Sequence, residues 1–149
     1  MIIELAQEKD KRKIARLDRH VPSPRLGECI WNGQVYVLKD DQNGGQNHRK
    51  KDPVVGVLRY SLFWQTIPFL DLLYIDETYR GRGFGTEMMR IWEDSMKLMG
   101  YRYVMTSTQA DEDAWKFYEK LGYCKAGGFF PPEQDAEEWM YVKSLEGRK

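Results

Sequence analysis

Tyr79-Arg80-Gly81-Arg82-Gly83-Phe84-Gly85-Thr86 is the stretch on which the reading of the fold turns. It lies between an apolar run that reads as a strand ending near Ile75 and a helical pattern beginning near Thr86. Alternate glycines let backbone N–H groups crowd together at a helix N-terminus, where unpaired donors and the helix dipole favour an anion. Arg80 and Arg82 add the positive charge that phosphate recognition requires. A Walker A loop needs a lysine directly after its glycines, and none follows here. The dinucleotide fingerprint G-x-G-x-x-G also fails, because counting from Gly81 puts Thr86 where Gly or Ala is needed. That fingerprint normally follows the first strand of a βαβ unit, whereas several strand-like runs precede this loop. A tight strand-to-helix turn with no ligand is the plain alternative.

Working outward, residues 54–64 and 67–75 are rich in branched and aromatic side chains and read as two long strands. The short turn Gln65-Thr66 makes them antiparallel neighbours. After the glycines, 86–99 is helical, with Met88, Met89, Trp92, Met96 and Met99 on one inward stripe and Gly100 as its stop. Residues 101–107 read as a strand. A helix follows over 111–121, with Ala114, Phe117, Tyr118 and Leu121 on one face and Gly122 closing it. Strands at 123–126 and 139–145 flank a proline-containing loop over 127–138. Upstream, 2–6 reads as a strand and 8–19 as a helix with Ile14 and Leu17 inward. Ser23 followed by Pro24 signals the start of a second helix, closed by Gly33, and 34–39 alternates as a strand. The polar stretch 40–52 reads as a long, mobile hairpin loop. The order β-α-α-β-β-β-α-β-α-β-β describes an α/β (α+β) domain around one mixed, mostly antiparallel sheet flanked by helices. With 149 residues, a single domain spanning 1–149 is expected.

Composition narrows the function classes. Apolar residues at 42% allow a packed core, and 23 Lys+Arg against 23 Asp+Glu leave no net charge. That balance argues against a dedicated nucleic-acid partner. The short basic runs Lys11-Arg12-Lys13 and Arg49-Lys50-Lys51 read as solvated faces. No run approaches a membrane span, and the N-terminal residues lack a secretion signal's apolar core, so a cytoplasmic protein without a membrane partner is expected. Cys29 and Cys124 lack CxxC spacing and read as reduced thiols. His20 and His48 are isolated, so no metal is expected, and zinc or Ser-His-Asp hydrolysis is poorly supported.

The sequence resembles the GCN5-related N-acetyltransferases (GNAT). Their Arg/Gln-x-x-Gly-x-Gly/Ala signature between the fourth strand and the following helix is matched by Arg80, Gly83 and Gly85. A second signature, Asn-x-x-Ala-x-x-Phe-Tyr-x-x-x-Gly-Phe/Tyr, is matched at Ala114, Phe117, Tyr118, Gly122 and Tyr123. The element order fits that fold across nearly the whole chain. The resemblance implies direct transfer of an acetyl group from acetyl-CoA to a primary amine, on a small molecule or a peptide. It implies that the backbone of Gly81, Arg82, Gly83, Phe84, Gly85 and Thr86 holds the pyrophosphate beside Arg80, and that pantetheine runs along Leu73, Tyr74 and Ile75. Phe117 joins this cofactor site.

One position departs from the pattern. Asp111 stands where the family often has Asn, and a carboxylate accepts but does not donate. Its plain role is a helix N-cap, and Gln109 is the neighbour able to take over the pantetheine contact. Tyr118 matches the family's general acid; its plain role is a core tyrosine. Asp71 stands where many members carry an acidic strand residue, so it is the candidate base. Shared alternation with Phe69, Leu73 and Ile75 would raise its pKa, while an ion pair with Arg59 is the plain alternative. Tyr60, Phe63 and Trp64 are candidates for an acceptor pocket or for the core. A catalytically silent acetyl-CoA sensor of the same fold is the alternative function. Dimers occur often in such folds, which leaves a homodimer open.

Overall fold

The computed structural model describes residues 1–44 and 53–146. Most of the stretch expected to be a mobile loop over 40–52 therefore lies outside the described residues. In chain order the elements are β1 (Ile2–Leu5), α1 (Lys11–Leu17), α2 (Ser23–Trp31), β2 (Val35–Lys39), β3 (Val54–Phe63), β4 (Ile67–Ile75), α3 (Phe84–Leu98), β5 (Tyr103–Gln109), α4 (Ala114–Lys120), β6 (Cys124–Phe129) and β7 (Glu138–Ser144). This is the order read from the sequence. The strands form one seven-stranded sheet in the order β1-β2-β3-β4-β5-β7-β6. The β1–β2, β2–β3, β5–β7 and β6–β7 pairs are antiparallel and β4–β5 is parallel, so the sheet is mixed and mostly antiparallel as expected.

The chain forms two compact units, Met1–Tyr60 with Leu72–Trp92, and Ser61–Asp71 with Glu93–Lys149. In the first, Ile14 of α1 and Leu26 and Ile30 of α2 are buried with Val35, Val37, Val54 and Val57, and Leu72 packs against them. Removing such side chains from water drives folding at roughly 1.5–3 kcal/mol each. Two buried cations accompany this core, each held by carboxylates. Arg59 Nε meets Asp18 Oδ2 at 2.6 Å, and Lys39 Nζ meets Glu4 at 2.8 Å and Asp10 at 3.1 Å. Burial by itself would lower the Lys39 pKa, but the bonds to Glu4 and Asp10 outweigh it and hold the ammonium above its usual value. At Gly56 on β3 a Cβ would lie 2.9 Å from Ile75 Cδ1 and 3.0 Å from Leu38 Cβ, so a larger residue here would force both neighbours to shift.

In the second unit, α4 covers one face of β5 and β7, where Tyr141 donates from its hydroxyl to Glu119 at 2.8 Å. A buried network joins α3, β7 and the residue before β6. Lys143 Nζ lies 2.6 Å from Glu93 Oε1, and the Tyr123 hydroxyl donates to Glu93 Oε2 at 2.9 Å.

Several boundaries differ from the sequence reading. The first helix opens as a 3-10 turn, Glu8–Asp10, because Asp10 Oδ2 accepts from the Gln7 backbone N–H. The N-cap of α2 is Pro22, so Ser23 does not cap it. Trp64 and Gln65 have φ of 55° and 61° and form the turn between β3 and β4, which places Trp64 outside the strand. Helix α3 starts at Phe84 and ends before Met99, which is 64% exposed, so the inward stripe stops at Met96. The N-cap of α4 is Asp113, so Asp111 is no cap, and Ala114 is exposed rather than inward. Strand β6 runs on to Phe129 through a bulge next to Gly127, which shortens the loop expected over 127–138. No disulfide links Cys29 to Cys124.

Candidate active site

The segment after β4 is pinned at several points. The Asp76 carboxylate accepts from the Thr78 backbone N–H at 3.1 Å and hydroxyl at 3.0 Å, which caps the 3-10 turn Glu77–Tyr79. The Tyr79 hydroxyl donates to Asp40 Oδ2 at 2.6 Å, and that bond raises its pKa. Arg80 Nε donates to the Ile75 carbonyl at 2.7 Å, and its guanidinium carbon lies 5.2 Å from the Tyr74 ring centre. Arg80 thus ties the loop to the end of β4, a role that its charge alone did not reveal. Arg82 lies over the Tyr79 ring at 5.5 Å.

Gly81 and Gly83 have φ of +75° and +85°, and a Cβ at either would meet nothing within 4 Å. The glycines are therefore needed for backbone conformation, and the space beside them is open. The Arg80 N–H donates to Glu77 and the Glu87 N–H to Gly83. Between them, the amides of residues 81–86 have no backbone acceptor among the described residues. Those of Phe84, Gly85 and Thr86 begin α3 and are among the donors that every helix leaves unpaired at its start. Open space, bare backbone and N–H groups without backbone acceptors fit a pyrophosphate.

In the second unit, Tyr118 is 7% exposed and touches the rings of Phe117 and Tyr123 edge-on, with centroids 5.1 and 5.6 Å away. Burial pushes its pKa well up, while a hydrogen bond with Thr106 works the other way. The hydroxyl is therefore a proton donor at neutral pH, not a phenolate. Thr106 in turn donates to the Leu70 carbonyl at 3.1 Å. The parallel ladder between β4 and β5 holds Phe69↔Met105 and Leu70↔Thr106, while β4 continues to Ile75 and β5 to Gln109.

Asp71 is exposed on β4, so the apolar burial expected to raise its pKa is not found there. Gln109 is half-buried at the end of β5, and Asp111 is exposed in the turn that follows. Tyr60 takes the core alternative, buried against Trp92 with ring centres 5.7 Å apart. Phe63 stacks on Phe69 at 6.1 Å, and Trp64 is 78% exposed. The sequence reading passed over the buried hydroxyls of Thr106 and Thr108. Their signal was a Thr-Ser-Thr run inside a strand.

The sequence matches the family model described as Acetyltransferase (GNAT) family over residues 4–123. The chain belongs to this family. The expectation of an N-acetyltransferase agrees with that membership. A stretch of 58 residues is 36% identical to N-alpha-acetyltransferase 30 of Schizosaccharomyces pombe (strain 972 / ATCC 24843), covering 38% of this chain and 39% of that protein. The match thus spans about two-fifths of the curated relative. Among solved structures, Ard1 from Thermoplasma volcanium superposes with a TM-score of 0.80 at 17% identity, covering 98% of both chains. The NatC complex bound to Gag peptide and CoA gives 0.78 at 16% identity, covering 96% of this chain and 97% of that one. An aminoglycoside 6'-N-acetyltransferase complexed with coenzyme A gives 0.77 at 17%, covering 100% and 99%. At such identities these structures establish the fold.

Proposed function

We propose that the protein is an acetyl-CoA-dependent N-acetyltransferase acting on a primary amine. The observation that carries this reading is the open glycine loop at the start of α3, where the amides of 81–86 have no backbone acceptor among the described residues. The backbone of Gly81, Arg82, Gly83, Phe84, Gly85 and Thr86 would hold the pyrophosphate, with Arg82 and the outer nitrogens of Arg80 adding charge. Leu73, Tyr74 and Ile75 offer strand backbone to the pantetheine arm, and Gln109, Asp111 and Phe117 complete that subsite. Acetyl-CoA supplies an activated acetyl group and a leaving thiol. Tyr118, kept protonated by burial, donates to the departing sulfur. Asp71 takes the acceptor's proton, directly or through water.

The exposure of Asp71 bears on the acceptor. An α-amine, with a pKa near 7.7–8.0, is partly neutral around pH 7 and asks far less of a base than a lysine at about 10.4. A peptide α-amine is therefore the preferred acceptor, and the partial identity to an N-alpha-acetyltransferase supports it. A small-molecule amine is the second candidate. Among the described residues, no helix is long and apolar enough to cross a membrane. A cytoplasmic enzyme with no nucleic-acid partner, monomeric or homodimeric, completes the proposal.

The test is release of free thiol from acetyl-CoA in the presence of free-N-terminus peptides, N-blocked lysine peptides, aminoglycosides and polyamines. Turnover with the free-N-terminus peptides is expected. Binding of coenzyme A without turnover on any amine would favour a sensor.

A further inference from the structure

Strand β5 carries two buried threonines on the face that α4 covers. Tyr141 stands opposite Thr106 and bonds Glu119 of α4. Trp139 stands opposite Thr108 and meets Trp115 of α4 edge-on, with ring centres 5.9 Å apart. Thr106 is satisfied by the Leu70 carbonyl and Tyr118. Thr108, one pleat further along and only 6% exposed, has a buried Oγ1 with no hydrogen-bond partner. The reason lies in the ladder: its last pair is Leu70↔Thr106, so no paired β4 carbonyl meets Thr108. A buried hydroxyl without a partner is costly, and native proteins keep few of them. Trp92 Nε1 is also unpartnered, but it sits within the core against Tyr60 and faces no such end of a ladder.

We infer that Thr108 is a binding residue for the acyl donor, its hydroxyl donating to an amide carbonyl of the pantetheine arm. This rests on the proposed function. If Tyr118, held at Thr106, marks the position of the sulfur, Thr108 lies one strand repeat of about 6.6 Å further on. A two-carbon linker separates the thioester sulfur from the first amide of pantetheine, which brings that amide within reach of Thr108. The nucleotide end of the cofactor has no such group near the sulfur.

The experiment titrates wild type and Thr108→Val calorimetrically with coenzyme A and with adenosine 3′,5′-bisphosphate, which lacks pantetheine. It also records the melting temperature without ligand. Valine keeps the branched shape and removes the hydroxyl. The expected result is a loss of about three- to thirty-fold in coenzyme A affinity, the factor given by one hydrogen bond of ordinary strength. Affinity for the bisphosphate should not change, and the ligand-free melting temperature should hold or rise. Thr108→Ser should keep most of the affinity, and Thr108→Ala repeats the deletion if valine does not fold. Unchanged coenzyme A affinity, or an equal loss for both ligands, overturns the proposal. Wild type that binds the bisphosphate but gains nothing from pantetheine also overturns it. Wild type that binds neither ligand overturns the functional reading beneath it.

Discussion

Burial of Tyr118 disfavours the phenolate, so at neutral pH its hydroxyl keeps the proton that the proposed acid role requires. Tyr118→Phe keeps the ring against Phe117 and Tyr123, so folding should persist and coenzyme A affinity should stay the same. Loss of the positioned proton should lower kcat by about 10²–10³-fold, also at saturating acceptor. A variant keeping more than half of wild-type kcat, with chemistry rate-limiting, would return Tyr118 to the core. The same burial has a pH signature. The Tyr141 pKa is pushed up to about 12, first by burial and then by Glu119, and that of Tyr118 is also raised. Each phenol keeps its proton in the folded chain after the unfolded chain has lost it near pH 10. Their stabilising contribution is thus full below about pH 10 and is lost as pH rises from there through the folded values. Melting temperature should fall along that alkaline arm, and Tyr141→Phe should flatten it. Glu93 offers a stability test of another kind. Glu93→Ala leaves Lys143 buried without its carboxylate, a change that typically costs about 3–5 kcal/mol. Denaturant melts showing less than 1 kcal/mol would mean that water reaches the lysine.

Among the elements, the turn into α3 has the sharpest requirement. Gly83→Val puts a branched Cβ at φ +85°, into open space, at a backbone cost of about 1–3 kcal/mol. The domain should survive while coenzyme A affinity falls sharply. Unchanged affinity in a calorimetric titration would mean that the glycines shape a turn and nothing more. Element type and order were legible because periodicity and glycine stops report on local burial, and the Met88, Met89, Trp92 and Met96 stripe lies buried as its spacing required. Ends were less legible. Asp111 and Asp113 are equally good caps by chemistry, and the path of the chain off β5 selected the second. Lys39, at the end of β2, is a buried lysine that nothing near it in the sequence neutralises; Glu4 and Asp10 arrive from distant positions to do so.

For the whole molecule, ligand linkage gives a prediction that needs no knowledge of the acceptor. Coenzyme A at a hundred times its Kd should add about 2.7 kcal/mol of stability, a rise of roughly 5–10 °C in melting temperature for a chain of this size. An amine acceptor alone should give a smaller shift. No shift with coenzyme A would contradict the phosphate-loop assignment.

The sequence by itself determined the family, the element order, the glycine loop and the position of Tyr118. Each is written in local spacing, where backbone conformation and helix or strand period leave a direct mark. Tertiary structure decided what each polar group meets: Arg80 on the Ile75 carbonyl, Arg59 on Asp18, and Thr106 on Leu70 beside a Thr108 left without a partner. Asp71 and Met99, apolar-faced by pattern, proved exposed. A hydrogen-bond partner, or water, reaches a side chain through the folded path of distant segments, and that path is not encoded in the spacing around the residue.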